Sequence, residues 1–117
     1  MSEVTIYHNP RCSKSRQTLA LLRERGVEPR IVEYLRTPPD ETELERILDL
    51  LGMEPRQLMR RKEAPYRELG LDDPGLDRRT LIRAMVEHPI LIERPIVVTP
   101  RGAAIGRPPE AVLAVLP

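Results

Sequence analysis

The chain of 117 residues contains one cysteine, Cys12, and neither phenylalanine nor tryptophan. A single thiol cannot close an internal disulfide, so no crosslink supports the fold, which suits a reducing, cytoplasmic location. Nor can it supply the paired thiolates of a structural zinc site, and the two histidines, His8 and His88, are too far apart in sequence for ligand spacing. No metal site is expected. With only three tyrosines as aromatics, the core must be aliphatic. No apolar run approaches the ~20 residues that span a bilayer, and the opening residues do not read as a signal peptide. Lysine is scarce as well, two against seventeen arginines, within a formal net charge of +1. So small a net charge argues against general attraction to nucleic acid or to a membrane surface.

What is present describes an ordinary globule, with 40% hydrophobic and 32% charged residues. Its length fits one domain, 1–117, able to bury roughly two-thirds of the unfolded surface. Thirteen prolines and six glycines punctuate periodic segments, which indicates stiff loops. The arginine excess favours planar, two-pronged hydrogen bonding to carboxylate, phosphate and similar oxyanions.

Cys12 falls where a short strand turns into a helix. Val4-Thr5-Ile6-Tyr7 precedes it, and Gln17-Thr18-Leu19-Ala20-Leu21-Leu22 follows. A thiol at a helix start meets unpaired backbone N–H groups and the positive end of the helix dipole, both of which favour thiolate. Bringing its pKa from ~8.5 to about 6 requires roughly 3.4 kcal/mol. A helix terminus supplies ~0.3–1 kcal/mol and rarely ~2, so cations or hydrogen-bond donors must provide the rest. Protonated His8, the basic residues Arg11, Lys14 and Arg16, and Ser13 or Ser15 through hydroxyl or backbone N–H are the candidates. A free cysteine is ordinarily a small buried hydrophobe. The polar and charged residues on both sides of Cys12 argue against a core position.

Residues 3–7 read as a strand, 15–25 as a helix stopped by Gly26, and 31–35 as a second strand. Asp40 with Glu43 signals a helix start, Leu44, Ile47, Leu48 and Leu51 follow at helical spacing, and Gly52 ends it. A short helix is expected over 55–62, a loop over 63–76, and a helix capped by Asp77 and stopped by Pro89. Residues 95–99 and 103–105 read as strands joined by a tight turn, and Pro108-Pro109 opens a last helix. This order predicts an α/β fold. A parallel crossover and an antiparallel hairpin share a four-stranded mixed sheet, with a helical insertion at about 37–88 between strands two and three.

That order, with a cysteine at the first strand–helix junction, resembles the thioredoxin/glutaredoxin fold. More specifically, the chain resembles the glutaredoxin-linked arsenate reductase family over essentially its whole length. The matching segments are Ile6-Tyr7-His8-Asn9-Pro10 with Cys12 and Ser15-Arg16, Leu58-Met59-Arg60 through Pro65-Tyr66, and Leu69-Gly70-Leu71. The run from His88 to Val98 and Gly106-Arg107-Pro108 complete them. The resemblance implies that Cys12 is the nucleophile, with Arg60, Arg94 and Arg107 binding the arsenate oxygens. It further implies that His8 helps lower the thiol pKa, that Ser15 supports the thiolate, and that Pro95 is the cis-proline of the fold.

The residue chemistry is consistent with these roles. A thiolate approaching an anion needs that anion neutralised, which converging guanidinium groups can do. With one thiol only, glutathione would supply the second sulfur as co-substrate, and glutaredoxin would release the resulting mixed disulfide. No bound cofactor is expected. The phosphatase-like reductase loop is excluded because Thr18, not arginine, follows Cys12 after five residues. Dithiol exchange is excluded because Ser15 occupies the second position of a Cys-x-x-Cys pattern. Two alternatives remain: a glutathione-dependent monothiol oxidoreductase with another substrate, and an Spx-like regulator that binds RNA polymerase.

Overall fold

Four short strands form one sheet in the computed structural model, which describes residues 3–117. They are β1 (Thr5–His8), β2 (Arg30–Glu33), β3 (Ile96–Thr99) and β4 (Gly102–Ile105), in the order β2-β1-β3-β4. β1 and β2 run parallel, with Thr5 opposite Arg30 and His8 opposite Glu33. A parallel pair needs a crossover, and helix α1 (Ser13–Glu24) supplies it. β3 lies antiparallel to β1 and β4 antiparallel to β3. The registers place Ile6, Val97 and Ala104 side by side on one face. There they join Leu22 of α1 and Val112 in an aliphatic cluster, while Tyr7, Tyr34 and Tyr66 are buried as well, so the core is not aliphatic throughout.

The C-terminal segment Pro109–Val115 is a 3-10 helix, where an α-helix is expected from the prolines that open it. At its end Thr99 Oγ1 donates to Val115 O at 2.6 Å and Arg101 Nη1 to Leu116 O at 3.0 Å. Ala111 N–H closes a short ring onto Pro108 O at 2.9 Å. The i→i−3 bond at Ala111 is the 3-10 pattern, and the bonds from Thr99 and Arg101 fasten the segment's end to the β3–β4 hairpin.

The segment Pro38–Glu93 makes a second compact unit, distinct from the sheet-bearing unit formed by the segments before and after it. It holds α2 (Glu41–Leu51), α3 (Pro55–Leu58), α4 (Ala64–Glu68), α5 (Arg78–Glu87) and a 3-10 turn at Pro89–Leu91. It includes residues 89–93 because Arg60 N–H bonds Leu91 O at 2.7 Å and Glu93 N–H bonds Leu58 O at 2.8 Å. α2 begins and ends where its residue types dictate. The Asp40 carboxylate accepts from Glu43 N–H at 2.8 Å, and Gly52 closes the helix at φ 66°, ψ 35°. Leu44, Ile47 and Leu48 of α2 pack toward α5, which buries Leu81, Ile82 and Met85. Asp40→Ala is expected to cost about 1 kcal/mol in urea unfolding, the usual worth of an N-cap.

α4 lies where a loop is expected. At five residues it is too short to show helical periodicity. It is held by a buried Tyr66 whose hydroxyl donates to Asp72 at 3.0 Å. Among the described residues no helix is long and apolar enough to cross a membrane.

Candidate active site

The connection from β1 to α1 is a tight turn that delivers Cys12 to the helix start. Arg11 N–H bonds Asn9 Oδ1 at 3.0 Å, and Cys12 N–H bonds Asn9 O at 3.0 Å. Cys12 is the N-cap residue, with extended backbone, and its carbonyl accepts the first helical bond from Arg16 N–H. Its side chain therefore faces the unpaired N–H groups of the first turn.

Cys12 is largely buried and free of any disulfide, yet its electrostatic surroundings are not those of a core residue. Arg107 Nη2 lies 3.5 Å from its sulfur. Burial is the largest single influence and pushes the thiol pKa up. The Ser15 backbone N–H, the Arg94 guanidinium, the Lys14 backbone N–H and the Arg107 guanidinium together outweigh it, leaving the thiol below its ordinary value. A lowered thiol pKa means that the fold favours thiolate. The preference is fully present above the ordinary thiol pKa and is lost as the pH falls through the lower folded-state pKa.

The sheet positions the two arginines. Beyond the β3–β4 pairing the ladder continues, with Gly106 N–H donating to Pro95 O at 2.9 Å. This sets Arg94 and Arg107 on adjacent chain ends. Arg107 Nε then donates to the Arg94 carbonyl at 2.8 Å, which turns the rest of its guanidinium toward the sulfur. The Arg94–Pro95 peptide is cis, the geometry expected for Pro95. The Arg107–Pro108 peptide is cis too, which the sequence does not signal.

His8 and Ser15 form a pair beneath the turn. His8 Nδ1 lies 2.6 Å from Ser15 Oγ, and the same hydroxyl accepts from Asn9 N–H at 3.0 Å. Both side chains are buried. Burial is the first cause holding the His8 pKa below the usual histidine value, partly offset by Glu33. This lowering works against the protonated His8 expected from the sequence. Its contact is with Ser15 and not with a charge on the sulfur. Ser15 favours the thiolate through its backbone N–H, since its hydroxyl is engaged by His8 and Asn9.

Arg60 belongs to the helical unit. Its Nη2 pairs with Glu63 Oε2 at 2.9 Å, and the side chains of both are about a quarter exposed, at 24% and 25%. The pair closes the turn between α3 and α4, where Glu63 N–H also bonds Arg60 O at 3.2 Å, and sequence reasoning did not pair them. Sequence reasoning also missed the Lys14 backbone N–H as a thiolate donor, a role that carries no residue-type signal. Among the described residues no group of three or more His, Cys, Asp or Glu side chains could hold a metal ion.

A β2-β1-β3-β4 mixed sheet, a cysteine at the β1–α1 junction and a cis-proline opening β3 define a thioredoxin-like protein. Residues 7–115 match the family model described as ArsC family, and the chain belongs to that family. An arsenate reductase of Rhizobium meliloti is 53% identical over 97% of this chain and 81% of its own length. A protein of Escherichia coli called uncharacterized protein YfgD is 57% identical over 97% of each chain. Among solved structures, an arsenate reductase from Vibrio cholerae superposes with a TM-score of 0.94 at 54% identity, over 97% of each chain.

Proposed function

We propose that the protein reduces arsenate to arsenite, with Cys12 as nucleophile and glutathione and glutaredoxin as the external thiols. The observation that carries this reading is the Cys12 sulfur at a helix N-terminus, 3.5 Å from a guanidinium that a neighbouring carbonyl holds in place. Curated relatives that share about half of their residues with this chain over most of their length bear the name arsenate reductase.

In the proposed sequence the Cys12 thiolate attacks arsenic and an oxygen leaves as water, giving a sulfur–arsenic(V) bond. Glutathione then brings the second thiol. Its sulfur ends bonded to Cys12 as a mixed disulfide, the sulfur–arsenic bond breaks, and arsenic retains the two electrons that the thiols lose. Glutaredoxin thiolate takes the glutathionyl group by exchange and regenerates Cys12. Arg94 and Arg107 neutralise the incoming oxyanion, and after sulfur attack they stabilise the charge on its oxygens. The role that the resemblance implies for Arg60 is carried as a kinetic expectation: Arg60→Ala raises KM for arsenate more than it lowers kcat.

The reading is tested by following arsenite from arsenate with the purified protein, glutathione and glutaredoxin. The expected result is turnover that needs both thiols, with at most a single stoichiometric adduct when glutathione is left out. Full turnover without glutathione would point to another reductant, and absence of arsenite under every condition would remove arsenate as substrate.

A further inference from the structure

Gly106 and Thr18 meet where the loop carrying Arg107 passes α1. Thr18 is fully buried, one helical turn beyond Lys14, and its Oγ1 donates to Lys14 O at 2.8 Å. Lys14 is also one of the two residues whose N–H groups favour the thiolate. Gly106 is buried against this turn. A β-carbon at position 106 would sit inside the contact distance of Thr18 Oγ1, 2.8 Å from Pro95 Cγ and 3.1 Å from Thr18 Cγ2. None of these neighbours is the end of a flexible chain. One belongs to a proline ring, and two to a β-branched side chain with restricted rotation. The backbone before Arg107 therefore approaches the first turns of α1 as closely as the absence of a side chain allows.

We infer that Gly106 and Thr18 are a positioning pair that sets the separation between the Arg107 guanidinium and the Cys12 sulfur. Neither touches the reacting atoms. Gly106 is bonded to Pro95 and followed directly by Arg107, so a displacement at 106 moves the backbone from which the guanidinium reaches toward the sulfur. The sulfur stays with α1. A shift of one against the other lengthens a contact that is already 3.5 Å and weakens an interaction that falls with distance.

This inference rests on Cys12 being the reactive thiol of the proposed reaction, but its test needs no arsenate. The pH profile of Cys12 alkylation by iodoacetamide is measured for the parent, for Gly106→Ala and for Gly106→Ala/Thr18→Ala, with thermal melting alongside. The single variant is expected to fold and to move the midpoint up by about half a pH unit, a roughly threefold loss of thiolate below it. The double variant removes two of the three obstructing atoms and is expected to recover part of that shift. Thr18→Ser, which withdraws one methyl group from the same joint and lets the loop settle closer to α1, is expected to fold and to lower the midpoint slightly, and it decides if Gly106→Ala does not fold. A parent-like midpoint in folded Gly106→Ala, or in Thr18→Ser where that variant decides, overturns the inference. So does a double variant that recovers nothing. Loss of arsenate turnover with an unchanged alkylation profile counts against the proposed substrate and not against the pair.

Discussion

Cys12→Ser is expected to lower arsenite formation at least ~10⁴-fold, because the nucleophile itself is removed. The argument rests on ionisation and not on shape. The first-turn N–H groups and the two guanidiniums act on whatever anion position 12 can offer. A thiol starting near ~8.5 is within their reach, whereas an alcohol remains protonated under the same influences. Serine is also a favoured N-cap residue, so the β1–α1 turn should survive the exchange and the melting temperature should change little. The measurement is arsenite production for parent and variant under matched glutathione and glutaredoxin, with a melt on each. A variant rate within tenfold of the parent would show that the sulfur does not do the chemistry.

Arg107→Ala should lower kcat/KM for arsenate by roughly 10²–10³, the range seen when one fixed donor to a developing oxyanion is deleted. Two losses combine. The oxyanion loses a cation, and the sulfur loses a guanidinium 3.5 Å away that helps to offset its burial. The second loss has its own signature: the midpoint of Cys12 alkylation moves toward higher pH, since burial alone pushes the thiol up. Arg107→Lys should recover little of either. A single ammonium cannot both donate to the Arg94 carbonyl, as Nε does, and face the sulfur, as Nη2 does. An alkylation midpoint unchanged in Arg107→Ala would show that the guanidinium plays no part in ionising Cys12.

The sequence made the order of elements along the chain legible because most of them have a local cause. Asp40 with Glu43 and Gly52 bracket α2, and the Pro100-Arg101-Gly102 turn forces β3 and β4 into a hairpin. What escaped has causes spread along the chain. α4 is held by Tyr66 reaching Asp72, and the end of the C-terminal 3-10 helix is fastened by Thr99 and Arg101 from the hairpin before it. The site divides the same way. Cys12, Arg94, Arg107, His8 and Ser15 could all be named from their segments, but their states could not. Burial lowers the His8 pKa, and the Ser15 hydroxyl is engaged because Asn9 and His8 both reach it. Nothing in Gly106-Arg107-Pro108 announces that its glycine presses on a helix that begins nearly a hundred residues earlier.

The bond from Arg107 Nε to residue 94 is made to a main-chain oxygen, which every amino acid possesses. The two arginines are thus joined in geometry yet independent in heredity. Exchange of the side chain at 94 takes one positive charge from the sulfur's surroundings and leaves the anchor of the other untouched. A lineage adapting to a differently charged oxyanion could retune position 94 without first rebuilding the arm that reaches in from position 107.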